Sequence, residues 1–291
     1  PEVDKVLLPY VYKSLSRNTT RYESKGIDST LARQLAVEDT KKELLQGFQA
    51  LEGKLNAVPC SRGDFAFTTL TFGQWKVDSS ETDKYWLSEI GKAMLTVRQT
   101  GFNGVPVLFP KLVYLYDESQ IDKDNYSKEL FDESIKCSAK CMYPDYLSLT
   151  GSVDKNAVAQ EYANYGTIIS PMGCRAYLSH WEDPETGKAI TTGRCNIGAV
   201  SLNIPLIIAV AQKEFASSWR TQFWNLLADR LEVIRKFLQK RYKFISKQKA
   251  SNNPLAFMQG GFYKGTKKRN EHVGDLIKYM TASFGITALH E

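Results

Sequence analysis

Histidine is scarce: only His180, His272 and His290 occur in 291 residues, far apart and in no ligand spacing. An HExxH zinc site or a histidine-clustered metal centre therefore has no support. No GxSxG nucleophile elbow is present, so hydrolase readings rank low, although sequence distance alone does not exclude a histidine-bearing triad. No apolar run reaches the roughly 18 residues that cross a bilayer. The longest candidate, Ala199 to Ala211, is interrupted by Asn203 and Pro205. The opening PEVDKVLLPYVYK begins with acids and has neither a basic leader nor a small-residue cleavage site, so it does not read as a signal peptide. A cytoplasmic location without membrane contact is expected. Internal repeats, low-complexity tracts and Pro/Ser-rich linkers are also lacking, which predicts one continuous unit over 1–291. Cysteine is sparse and odd in number: Cys60, Cys137, Cys141, Cys174 and Cys195 fit reduced thiols better than a disulfide framework.

The composition, 43% hydrophobic and 24% charged, is that of a globular chain able to bury a large core. Pro1 stands where an initiator Met would, a hint of a longer parent. The net charge of +6 is unevenly placed: residues 230–278 hold 13 Lys and Arg against Glu232, Glu271 and Asp275, leaving the remainder at about −4. Such a region attracts phosphate-bearing partners by field focusing, or is simply a solvated helix face.

Periodicity predicts a helix from Asp28 or Ser29 through Lys54, a strand over 65–72, a helix over 84–98 and a nearly unbroken apolar strand over 107–116, buried on both faces. Further helices are predicted over 127–142, 156–165, 213–247 and 273–284, with strands over 167–169 and 196–204. This alternation argues for α/β architecture with a largely parallel sheet or barrel.

Among chemistry-bearing residues, Gly260, Gly261 and Gly265 before Lys267 and Lys268 lack P-loop spacing and read as a turn. Cys137 and Cys141 share a helix face and read as buried structural thiols. Cys60 precedes the turn Ser61-Arg62-Gly63-Asp64, in which Arg62 and Asp64 can pair locally. Cys174 differs: Ser-Pro-Met-Gly-Cys-Arg sets a thiol on a tight loop between apolar segments, beside Gly173. It suits an ionised nucleophile helped by Arg175, a hydrogen-atom carrier, or a buried loop thiol. Asn196, at a strand start, is a turn amide or a substrate contact.

The string SPMGCRAYLSHWEDPETGK followed by TTGRCNIGAVSLNIP resembles the active-site finger loop and following strand of anaerobic (class III) ribonucleoside-triphosphate reductases. LNAVPCSRGDFAFTTLTFG, VPVLFPKLVYLYDE, KCMYPDYLSLTG, NNPLAFMQGGFYKG and TASFGITALHE extend the resemblance over nearly the whole chain. It implies a glycyl radical enzyme whose catalytic domain is a ten-stranded α/β barrel with the finger loop through its centre. It makes Cys174 the thiyl-radical cysteine that removes the ribose 3′ hydrogen, Asn196 the amide near the 3′ hydroxyl and Met172 the methionine beside the sulfur. Ser61 and Arg62 are read as substrate-binding. Ser283 and Gly285 are expected in a turn at a helix start, where free N–H groups would face the triphosphate.

The resemblance further implies formate as reductant, a radical-AdoMet activating enzyme, ATP or dNTP effectors acting allosterically in deoxyribonucleotide synthesis for DNA replication, and a homodimer. No direct nucleic-acid contact is expected. The family's glycyl radical loop, its C-terminal four-cysteine zinc site and its early-strand cysteine have no counterpart here, so the chain looks like the middle of a reductase. The alternatives are a glycyl radical enzyme acting on a small acid or diol, and a non-catalytic split subunit whose helix over 29–55 joins an interface.

Overall fold

The helix expected from Asp28 or Ser29 begins on a side-chain cap, as anticipated: the Asp28 carboxylate accepts from the Thr30 and Leu31 N–H groups. The computed structural model describes every residue except 1, 58–62, 64–66, 77, 152–156, 167, 174–176, 179 and 290–291. Packing divides the chain into two units, Pro1–Tyr177 and Leu178–Glu291, with no linker marking the division.

In the first unit, helices α1 (Val3–Glu23) and α2 (Ser29–Ala57) precede β1 (Thr69–Phe72). Then come α3 (Glu81–Thr100), β2 (Lys111–Tyr116), α4 (Glu118–Ile121), α5 (Asn125–Cys141), β3 (Asp145–Ser148) and α6 (Ala157–Tyr165). The strands form a parallel sheet in the order β1-β2-β3. Central β2 is buried on both faces, with Leu112, Val113, Tyr114 and Leu115 all nearly inaccessible, as its unbroken apolarity predicts. One core joins Leu70, Phe72, Leu112 and Tyr114 to Trp86, Ile90 and Met94 of α3 and Leu130 and Cys137 of α5. Cys137 is wholly buried, which pushes its thiol up to about 12, so it packs as a small apolar group, as expected.

The second unit contains β4 (Asn196–Asn203), α7 (Ile204–Phe215), α8 (Trp219–Ser246), α9 (Pro254–Phe257), α10 (Gly274–Ile277) and β5 (Thr281–Thr287). β4 and β5 pair in parallel. Ile197, Val273, Leu276 and Met280 belong to one apolar cluster, and Leu202, Ile207 and Ile234 to another. The α/β class with parallel pairing thus holds, and among the described residues the strands form one three-stranded and one two-stranded sheet.

Several expected elements change. The helix expected over 213–247 is two: α7 starts at Ile204, and a 3₁₀ turn at Ala216–Ser218 precedes α8. Asn203 and Pro205 are the start signal of α7 rather than an interruption, since the Asn203 side chain accepts from the Leu206 N–H at 3.0 Å and proline suits the first turn. The helix expected over 273–284 stops at Ile277, and Thr281–Thr287 is a strand whose backbone groups go into the ladder with β4. Residues 168–170 form no strand, while α1 and β3 were not anticipated. Of the strand expected over 65–72, residues 65 and 66 lie outside the described residues, 67 and 68 are not in a strand and Thr69–Phe72 is; the strand expected over 107–116 shortens to its last six residues. No helix among the described residues is long and apolar enough to cross a membrane.

Candidate active site

The small polar face of the β4–β5 sheet collects three of the residues singled out from sequence. Ile197 and Ala282 turn inward to the apolar cluster, so alternation sends Asn196, Ser283 and Gly285 to the opposite face, together with Ser201. The ladder is irregular here. Asn196 pairs with Thr281 and Gly198 with Ala282, which leaves Ile197 as the extra residue of a bulge.

That bulge orients the Asn196 carboxamide. Its Oδ1 accepts from the Gly198 N–H at 2.9 Å, an Asx-type turn, and its Nδ2 donates to the Ser283 hydroxyl. Gly198 leaves room for Arg241 of α8, whose Nε lies 2.9 Å from where a Cβ would stand. A Cβ on Gly285 would lie 2.9 Å from the Ser201 hydroxyl, so the serine side chain occupies the space that the glycine leaves.

Cys195, the neighbour of Asn196, faces the apolar cluster instead. Its thiol lies 3.5 Å from the Met280 sulfur, and burial raises its pKa, which keeps it protonated. The Arg194 guanidinium donates to the Tyr279 carbonyl at 2.9 Å and ties the start of β4 to the start of β5.

Upstream of β4, the hairpin joined by the Glu182–Ala189 bridge is locked onto the glycine-rich segment. Asp183 is fully covered; Lys264 holds its carboxyl well below the ordinary range, at about 2, helped by the Glu185 N–H and the Tyr263 hydroxyl. The contacts are 2.9 Å to Lys264 Nζ and 2.7 Å to Tyr263 Oη. Gly193 passes against this segment with φ of 71°, and its carbonyl accepts the Tyr263 N–H at 2.8 Å. A Cβ there would lie 2.4 Å from the Tyr263 nitrogen. Gly193→Ala is therefore expected to destabilise the fold by at least the ~1–3 kcal/mol of a strained backbone, measured as a lower urea midpoint.

The glycine-rich segment is a turn, as its spacing suggested. The N–H groups of Gly260, Gly261, Phe262, Tyr263, Gly265 and Lys267 all bond to backbone carbonyls, so they are not free to cradle a phosphate. The expected helix-start anion site at Ser283 and Gly285 is likewise not formed, because both residues lie within β5. Part of the basic stretch is paired locally: Arg235 and Lys236 with Glu232, Lys267 with Asp275, and Lys264 with Asp183 and Glu185.

In the first unit, the segment leading to Cys174 is held by Gly173, which is buried and would place a Cβ 2.1 Å from the Phe67 carbonyl oxygen. Met172 beside it is half-buried. Cys174, Arg175, Cys60, Ser61, Arg62, Asp64 and His290 lie outside the described residues. His180 contacts Glu182, and His272 the Lys247 carbonyl. Among the described residues no group of three or more His, Cys, Asp or Glu side chains is placed to hold a metal.

The sequence profile of the family described as anaerobic ribonucleoside-triphosphate reductase matches residues 1–291. The chain belongs to that family. It is 31% identical to the anaerobic ribonucleoside-triphosphate reductase of Enterobacteria phage T4 over 99% of its own length and 46% of the phage protein. The reductases of Salmonella typhimurium and Escherichia coli K12 are also 31% identical over 99% of this chain, which covers 38% of each. The chain thus spans less than half the length of these reductases.

Asn196 and Ser283 stand out in the sequence, but their hydrogen bond to each other does not. Neither do the Asp183–Lys264 lock and the Cys195–Met280 contact. The signal for the lock was present in the turn sequence Asp-Pro-Glu-Thr-Gly at 183–187, which marks a hairpin but not its docking partner.

Proposed function

We propose that this chain forms the substrate-side part of an anaerobic ribonucleoside-triphosphate reductase, which converts ribonucleoside triphosphates to 2′-deoxyribonucleoside triphosphates. The observation that carries the reading is the match to the reductase family over the full chain. The small polar sheet face around Asn196 supports it. In this reading the parallel strands belong to a ten-stranded barrel, and the loop after Gly173 is its finger.

A sulfur radical on Cys174 takes the ribose 3′ hydrogen atom: the C3′–H bond breaks, the S–H bond forms and the unpaired electron moves to the sugar. Met172 neighbours the sulfur. Asn196, uncharged, holds the 3′ hydroxyl without removing its proton; Ser61, Arg62, Ser283 and Gly285 line the substrate. A glycyl radical outside this chain supplies the unpaired electron when installed by a radical-AdoMet activating enzyme, and formate supplies the reducing electrons. A dry interior protects such a radical from side reactions. Nucleotide effectors, a homodimer and a cytoplasmic setting complete the proposal.

The test is Cys174→Ala in the intact reductase. Nucleotide reduction should vanish while the glycyl radical signal of the activated enzyme persists in electron paramagnetic resonance; wild-type turnover in that variant would refute the assignment.

A further inference from the structure

We propose that Ser283 is a positioning residue for Asn196, fixing its carboxamide for the substrate hydroxyl instead of serving mainly as a phosphate contact. The inference rests on the reading of Asn196 above.

A carboxamide offers two acceptor lone pairs and two N–H donors. The fold uses one of each. The Gly198 N–H can only donate, so the atom facing it at 2.9 Å must be Oδ1 rather than Nδ2. The Ser283 hydroxyl then accepts from Nδ2, and these two contacts fix both the plane and the sense of the amide. A flipped amide would set NH₂ against the Gly198 N–H. One lone pair on Oδ1 and one hydrogen on Nδ2 stay available, the complement of a hydroxyl that both donates and accepts.

The ladder explains why Ser283 is the partner. Asn196 is opposite Thr281 and Ala199 is opposite Ser283, so a regular strand would aim Asn196 at Thr281. Ile197 goes into the apolar cluster, and the bulge turns Asn196 toward the next residue on the same face of β5. Thr281 is occupied elsewhere, its hydroxyl accepting from Arg194 at 3.3 Å and its N–H donating to the Cys195 carbonyl at 2.9 Å. Without Ser283 the carboxamide keeps one anchor and swings about it.

A loosened amide lowers the fraction of bound substrate aligned for hydrogen abstraction, while most of the binding energy is untouched. In the activated intact reductase, Ser283→Ala should therefore lower kcat about tenfold, the scale of one lost hydrogen bond, with KM changing less than about twofold. The glycyl radical signal should be unchanged. Ser283→Cys, similar in shape but a poor acceptor, should behave like alanine, and Ser283→Thr should restore most of the rate. With 3′-deuterated substrate the isotope effect on kcat should grow in Ser283→Ala, which a general loss of stability would not produce.

A rise in KM at constant kcat, or unchanged kinetics in both the alanine and cysteine variants, overturns the inference. Asn196→Ala separates it from the reading beneath. Loss of activity there beside a wild-type Ser283→Ala overturns this inference alone, whereas wild-type activity in Asn196→Ala overturns the role of Asn196 and this inference with it.

Discussion

Glu52→Ala is expected to destabilise the chain by about 3–5 kcal/mol, because it strands a buried guanidinium. The Arg98 side chain is 0% exposed and that of Glu52 4%, with Nε to Oε1 at 2.8 Å. Arg98 Nη2 donates to the Pro110 carbonyl at 2.6 Å, and the Tyr143 ring lies 5.1 Å from the guanidinium carbon. Among the described residues Nη1 finds no partner, and the Glu52 carboxylate is the one anion paired with Arg98. Burial raises the Glu52 pKa, outweighing the opposing pull of Arg98, which shows desolvation to be the larger effect on the carboxyl. Chemical denaturation should show the single replacement far more damaging than the double replacement Glu52→Leu/Arg98→Met, whose partners leave no charge behind. Equal losses in the single and double variants would mean that the pair does not act as a unit.

The same unit shows what the sequence reveals and what it hides. β2 was legible because a strand buried on both faces has to be apolar without alternation, and α5 because Leu130, Ser134 and Cys137 recur at helical spacing before Pro144. α1 was not, since Pro9 lies inside it and its buried set, Val3, Asp4, Val11 and Asn18, makes a narrow and partly polar stripe. β5 was misread for a different reason. Thr-Ala-Ser-Phe-Gly-Ile-Thr has no strong preference of its own, and a parallel partner far back in the sequence supplies the pairing that makes it a strand.

The site follows the same division. Asn196 stood out by its residue type and motif, and Ser283 by its place in TASFG. Their hydrogen bond spans 87 positions and depends on a one-residue bulge, which no local pattern encodes. Asp183 and Lys264 meet across a similar span. Long-range polar pairs of this kind come from sheet register and loop docking, so they become visible only once the strands are aligned.

Asp4 makes stability fall as pH rises, against the usual behaviour of a carboxylate. It sits at the start of α1, fully buried, and accepts from the Gly73 N–H and its neighbour's, Lys5, each at 2.9 Å. Gly73 follows β1 with φ of 100° beneath the Tyr114 ring, so the carboxyl ties the helix start to the end of the strand. Lys5 and Glu2 are the charged groups that act on it, and the buried Tyr114 phenol of β2 feels its charge. Burial dominates over the two hydrogen bonds and Lys5, raising the pKa from 3.8 to about 6.

The folded state therefore holds its proton more tightly than the unfolded chain. The stabilisation is complete below the unfolded value of 3.8 and is lost as pH climbs through about 6. The gap corresponds to about 3 kcal/mol. Asp4→Asn cannot titrate, so comparing the two proteins cancels the other ionising groups. Urea unfolding from about pH 4 to pH 7.5 should show the aspartate chain losing about 2.4 kcal/mol relative to the asparagine chain over that span, with most of the change before pH 6.5. A difference that stays constant with pH would mean that Asp4 ionises in the fold as it does in water, and that the hydrogen bonds to Gly73 and Lys5 offset its burial in full.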